Sequence, residues 1–177
     1  LLIDNYKNSF YYQRSKVDLS SLYFSEKKYS VCIKLFSEVT DVLLKTDEYN
    51  FKFAYSLFLS ERLDDAKYYF SKVETGKYKS LSQYYYAHIT YIQKLYNKSL
   101  SGFKLLEDDK MFSRIVPYYI TQIYYSLEKY SEVINYAVPL LENVISSREL
   151  EMNRIVSESY YYLNEFEERW KQPDKNS

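Results

Sequence analysis

Few side chains in these 177 residues could do chemistry. His88 is the single histidine and Cys32 the single cysteine. A metal site needs several His, Cys or carboxylate ligands at close spacing. Acid–base work at neutral pH most often uses an imidazole with a partner. One histidine on a helical stretch reads instead as a packed or groove-lining residue. Cys32 stands at a position reserved for small side chains, which reads as an inert buried thiol. No internal disulfide can form. The carboxylates Asp64 and Asp65, and Glu165, Glu167 and Glu168, fall at corners or helix starts, where they suit the helix dipole. Gly76 and Gly102 are isolated, so no glycine-rich loop cradles a phosphate. A serine nucleophile would have only His88 as an imidazole base, and no elbow motif surrounds one. The expectation is no catalytic residue, no metal and no cofactor.

Composition narrows the architecture. The chain has 2 Gly and 3 Pro, too few for the tight turns of an α/β enzyme. Helices joined by short polar corners need far fewer. Tyrosine is abundant at 24 residues, and it suits half-buried surfaces because its ring packs while its hydroxyl stays wet. Basic and acidic residues balance at 24 each, which argues against a nucleic-acid partner. No apolar run approaches the roughly 18–20 residues that span a bilayer. The start, Leu1-Leu2-Ile3-Asp4, reads as the middle of a longer chain, with any signal peptide or lipid anchor outside it. The compartment stays open between bacterial periplasm or cell envelope and cytoplasm.

The elements that carry these residues repeat. Tyr29, Leu63, Tyr96, Tyr130 and Phe166 lead similar segments, at intervals of 34, 33, 34 and 36 residues. Three residues after the first four leaders stand Cys32, Ala66, Ser99 and Val133; Arg169 holds that place in the fifth. Nine residues before each leader stands a small residue: Ser20, Ala54, Ala87, Thr121 and Ser157. Small residues at a fixed phase mark close helix approach. Phe36, Phe70 and Phe103 recur one turn beyond the second small position. Polar corners fall at Ser25 to Lys28, Glu61-Arg62, Gln93-Lys94 and Glu128-Lys129. Longer breaks lie at Thr46-Asp47, Thr75 to Lys77 and Asp108 to Lys110, with Asp47 and Asp109 as candidate caps. Pro117 fits the first turn of a helix starting near Val116. Pro139 predicts a bend between Val133 and Ile145, and Pro173 a stop for the last helix.

A period near 34 with small and aromatic residues at these phases resembles the tetratricopeptide repeat of long bacterial multi-repeat proteins. The match covers about residues 12–170. It is strongest at Leu19-Ser20 with Tyr23, Cys32 and Phe36, at Phe53-Ala54 with Ala66 and Phe70, and at Tyr86-Ala87 with Phe103. Departures are the missing early Trp, Thr90 for Tyr, Ala137 for an aromatic and Arg169 for a small residue. The resemblance implies an all-α fold, a right-handed α-solenoid of antiparallel helix pairs. The whole chain, 1–177, would be a single superhelical domain and part of a longer array. Its five units would run over residues 12–45, 46–78, 79–110, 111–146 and 147–172.

In such a stack the first helices line a concave groove. The family's phases place Phe51, Tyr55, Phe58, Tyr84, His88, Tyr91, Tyr118, Gln122, Tyr125 and Tyr161 there, with Arg154 and, in the first unit, Arg14, Val17, Ser21 and Phe24. The list is strongly aromatic and nearly free of charge. The Lys/Asn clamp for a C-terminal carboxylate, known in some family members, is absent at Val17, Ser21, Phe51 and Tyr55. The implied function is a protein–protein interaction scaffold gripping a peptide or partner segment. The alternatives are a structural subunit of a larger cell-envelope or export assembly, and a sensor module with a ligand in the groove. Leu1 to Ser9 and Trp170, at the array ends, are candidates for self-association.

Overall fold

The computed structural model describes residues 6, 9–143 and 146–171, with side chains at 6, 9–142 and 147–164. Among the described residues the chain is helical, with no strand. The helices are α1 (Phe10–Ser25), α2 (Tyr29–Ser37), α3 (Asp47–Leu59), α4 (Leu63–Phe70), α5 (Lys79–Ile92), α6 (Tyr96–Lys104), α7 (Val116–Ser126), α8 (Tyr130–Ala137) and α9 (Ser146–Lys171). Short 3-10 turns cover Val42–Leu44, Gly76–Tyr78 and Val138–Asn143. The chain divides into two compact units, Leu1–Ile89 and Thr90–Ser177.

The four corners that pair α1 with α2, α3 with α4, α5 with α6 and α7 with α8 share one geometry. Lys27, Glu61, Lys94 and Glu128 take φ of 60°, 60°, 58° and 56°. In each corner the residue after the left-handed one donates its N–H five residues back: Lys28 to Tyr23, Arg62 to Leu57, Leu95 to Thr90 and Lys129 to Tyr124, at 2.8–3.0 Å. Lys27, Glu61, Lys94 and Glu128 donate three back, to Phe24, Phe58, Tyr91 and Tyr125. This bond pair is the Schellman motif, which satisfies carbonyls that a helix end leaves open. None of the four left-handed residues is glycine, so each corner carries backbone strain.

In the first unit, α1 packs on α2, α2 on α3 and α3 on α4. The small residues do what their phase demands. Ser20, Ala54, Cys32 and Ala66 are fully buried, and the Cys32 thiol donates to the Ser20 carbonyl at 3.4 Å. Phe36 meets Tyr49 edge-on at 4.9 Å and Phe53 at 5.6 Å, which joins the first hairpin to the second. Phe70 stacks on Tyr85 at 5.4 Å. A polar tie repeats with the apolar one. Gln13 Oε1 accepts the N–H groups of Thr40 and Asp41 at 2.8 and 2.7 Å. The Asp47 carboxylate, 34 residues on, accepts those of Glu74 and Thr75 at 3.2 and 3.0 Å. Each fastens a first helix to the loop leaving its own second helix.

In the second unit, α6 packs on α7, α7 on α8, and α9 on both α7 and α8. Ser99, Thr121, Val133 and Ala137 are fully buried, and Phe103 stacks on Tyr119 at 4.8 Å. Pro117 lies in the first turn of α7, where its missing N–H costs nothing. At Pro139 the expected bend takes the form of a helix end: α8 stops at Ala137 and a 3-10 turn follows.

Three expectations need correction. The fifth hairpin is absent among the described residues, because α9 runs unbroken from Ser146 to Lys171, through the place where a corner before Phe166 would fall. With no second helix folded onto it, Ser157 is exposed, while Ser159, two residues on, is buried. Asp47 and Asp109 are not helix caps. Thr46 caps α3 through its hydroxyl, and Asp109 instead accepts the N–H of Met111 at 2.8 Å in the loop before α7. The stop at Pro173, the side chains of Glu165, Phe166, Glu167, Glu168, Arg169 and Trp170, and Leu1 to Ser9 apart from Tyr6 and Ser9, lie outside the described residues.

Candidate functional site

The expected groove residues fall into two groups, one in each unit. In the first unit they pack mainly on each other. Phe51 is buried, with its ring stacked 4.5 Å from Tyr78. Tyr55 is half-buried and meets Phe24, Tyr29 and Tyr85 edge-on at 5.3–5.9 Å. Phe58 leans on Tyr85 at 5.2 Å and on His88 at 6.1 Å, and Tyr84 stacks on His88 at 5.9 Å. Burial pushes the His88 imidazole below its ordinary range, so it is neutral at neutral pH. Tyr85 is the hub of this cluster and was not among the expected residues. Its partner Phe70 belongs to the recurring phenylalanines, and that was the signal available.

Beside the cluster, between α1 and α3, lies a cleft of about 340 Å³. Its apolar wall is Val17, Leu43, Leu44 and Tyr49, with the Ser21 and Thr46 side chains beside them. Two ion pairs rim it. Arg14 Nε meets Asp18 at 3.2 Å, and Lys52 Nζ meets Glu48 at 2.6 Å. Lys52 holds the Glu48 carboxyl below its usual range. The Lys52 side chain is only 12% exposed, and its ammonium stands 5.9 Å from the centre of the Phe24 ring. The cleft is at the small end of ligand-binding clefts, about 300–1,000 Å³. Arg14, Val17 and Ser21 stand in it as their phases predict. Leu43 and Leu44 come from the 3-10 turn, which the helical phases do not describe.

In the second unit the expected residues are tied by polar bonds. Tyr91 meets Tyr119 edge-on at 5.5 Å. The Arg148 guanidinium lies 4.6 Å over the Tyr118 ring. Gln122 Nε2 donates to the Tyr118 hydroxyl at 3.3 Å and to Glu151 at 3.2 Å. The Tyr125 hydroxyl donates to Glu158 at 2.6 Å, and that bond holds the Glu158 carboxyl low. Arg154 bridges Glu151 at 2.8 Å and Glu158 at 2.5 Å. Tyr161 is exposed on α9. The expectation of a face nearly free of charge therefore fails here, because α9 sets alternating charges against α7. The spacing of Glu151, Arg154 and Glu158, three and four residues apart, is the helical ion-pair signature that would have revealed it.

The chemistry-bearing singletons are packed. Cys32 is buried, and burial pushes its thiol up. Asp64 and Asp65 sit in the first turn of α4, paired with Lys67 at 2.9 Å and Arg62 at 2.6 Å. Among the described residues no group of three His, Cys, Asp or Glu is placed to hold a metal, and no helix is long and apolar enough to cross a membrane. No protein-family model matches the chain, and a search of curated proteins found no match in sequence.

Proposed function

We propose that the chain is a tetratricopeptide-like scaffold, a right-handed α-solenoid whose first helices bind an extended segment of a partner protein. Support for the repeat comes from the four identical Schellman corners and from the fully buried small residues on both helices of each hairpin. The observation that carries the binding reading is the cleft between α1 and α3. It offers an apolar wall for one anchoring side chain. Its rim offers both signs of charge to the flanking polar groups of a peptide. A face of this kind recognises a short segment with one apolar anchor. The aromatic cluster next to it serves as a rigid wall, since Tyr55 and Phe51 are already engaged by other rings.

Selection of a random peptide library on the whole chain tests this reading. Enriched peptides share an apolar residue flanked by polar ones, and they bind Ser21→Trp, which fills the cleft, at least tenfold more weakly. Ser101→Trp, on exposed surface of α6, leaves their affinity unchanged. Equal binding to both variants would overturn the assignment of the cleft.

A further inference from the structure

We infer that the cleft between α1 and α3, in its proposed role as the peptide site, takes a tyrosine of the partner segment as its anchor, with the ring on the apolar wall and the hydroxyl on Ser21. Such an anchor presupposes the peptide reading of the cleft and adds the chemistry of its occupant. Val17 and Ser21 of α1, Leu44 at the end of the first 3-10 turn and Lys52 of α3 all line the cleft. At the leaders' intervals of 34 and 33 residues, the same four places one hairpin on hold Phe51, Tyr55, Tyr78 and Tyr85. All of these are rings, and all but Phe51 are phenols. They fill their space by packing together. Phe51 stacks on Tyr78 at 4.5 Å, Tyr55 meets Tyr85 edge-on at 5.3 Å, and the Phe51 and Tyr55 rings lie 6.0 Å apart. Val17, Ser21, Leu44 and Lys52 carry no ring, so the cleft is the space that rings occupy one hairpin on.

The size of the cleft suits one ring and its tip. A cavity of about 150 Å³ with an apolar lining takes a benzene ring, and the cleft measures about 340 Å³. Its wall is set in advance. Tyr49 is held by the bond from its hydroxyl to the Phe36 carbonyl at 2.7 Å and by the Phe36 ring edge-on at 4.9 Å. A wall that needs no rearrangement adds no ordering cost to binding.

The polar groups call for a neutral tip. Arg14 with Asp18, and Lys52 with Glu48, cancel in pairs at 3.2 and 2.6 Å, so a charged anchor would have to displace a bonded partner. An aliphatic anchor fails differently. Ser15, Ser20 and Ser25 donate their hydroxyls to carbonyls of α1 itself. Ser21 does not, and among the described residues nothing bonds its hydroxyl. An apolar side chain laid over it would strip its water and give nothing in exchange. A phenol hydroxyl donates and accepts, so it pairs with Ser21 in either sense; indole offers a donor only, and a phenyl ring neither.

Random peptide libraries, alike except for a fixed central tyrosine, phenylalanine or leucine, are selected in parallel on the whole chain. The tightest peptides come from the tyrosine library. Changing their anchor to phenylalanine weakens binding about three- to tenfold, the worth of one hydrogen bond, and changing it to leucine weakens binding further. On Ser21→Ala the tyrosine and phenylalanine peptides bind alike and both outbind leucine, which separates the hydroxyl from the ring. A loss from tyrosine to phenylalanine that persists undiminished on Ser21→Ala overturns the pairing with Ser21. Peptides that prefer leucine, or lose nothing on the change to phenylalanine, yet bind Ser21→Trp about tenfold more weakly, overturn the tyrosine anchor and leave the cleft as the peptide site. Peptides that bind Ser21→Trp as tightly as the wild type overturn both. A wild type that dimerises in sedimentation velocity, and turns monomeric as Ser21→Trp, gives the cleft to a second copy and likewise overturns the tyrosine anchor.

Discussion

The Asp47 carboxylate ties the first turn of α3 to the loop beyond α4. It accepts the Thr75 hydroxyl at 2.5 Å and two backbone N–H groups. The Thr75 hydroxyl, with those N–H groups, holds the carboxyl below the usual aspartate range. A carboxylate with a depressed native pKa stabilises the fold above its unfolded value, about 3.9. That contribution is lost as pH falls through the native value. Asp47→Ala is therefore less stable than the wild type at pH 7, and the gap between their melting temperatures narrows as pH falls below the unfolded aspartate value and through the lower native one, as thermal scans across pH will show. Tyr49 makes the complementary buried contact, with its hydroxyl donating to the Phe36 carbonyl at 2.7 Å. Tyr49→Phe leaves that carbonyl without this donor inside the core. It should cost about 1–2 kcal/mol in urea unfolding. Asp47 lies outside the cleft lining, so peptide selection on Asp47→Ala should recover the same anchor motif.

At the scale of the element, the corner is the unit of the repeat. Its position was legible from the spacing of Tyr29, Leu63, Tyr96 and Tyr130. Its left-handed residue was not, because Lys27, Glu61, Lys94 and Glu128 are poor candidates for positive φ on identity alone. Strain at that position predicts a gain on substitution. Glu61→Gly removes the steric cost of a Cβ at φ 60°, offset in part by the greater freedom of glycine in the unfolded chain. The net effect should be a stabilisation of about 0.5–1 kcal/mol, seen as a higher urea midpoint. The small-residue phases read from the sequence hold for α1 to α8, since Ser20, Ala54, Ala87, Thr121 and their partners Cys32, Ala66, Ser99 and Val133 are all fully buried. They fail at Ser157 because a buried small position needs two helices, and α9 continues where a corner was expected. The aromatic list fared differently. Its residues lie on first helices as expected, yet phase alone does not say whether a ring faces a neighbour or the solvent. Phe51 and Tyr55 turned inward onto Tyr78 and Tyr85. The charges of α9 were overlooked because family phases select single positions, whereas Glu151, Arg154 and Glu158 act as a bonded set.

At the scale of the whole molecule, the proposed scaffold role rests on what the helical hairpins leave uncovered. Each hairpin buries its small and apolar columns against neighbours and presents its remaining first-helix surface outward. In the first unit that surface holds a cleft with an apolar wall and a charged rim. The most direct test of the proposed scaffold role is a backbone amide map of the isotopically labelled chain, titrated with the tightest peptide from the library selection. The account predicts shifts concentrated at Arg14 to Ser21, Leu43 to Thr46 and Glu48 to Lys52, saturating with the binding isotherm and abolished in Ser21→Trp. Shifts confined to the second helices α2 and α4, with the cleft unperturbed, would contradict it.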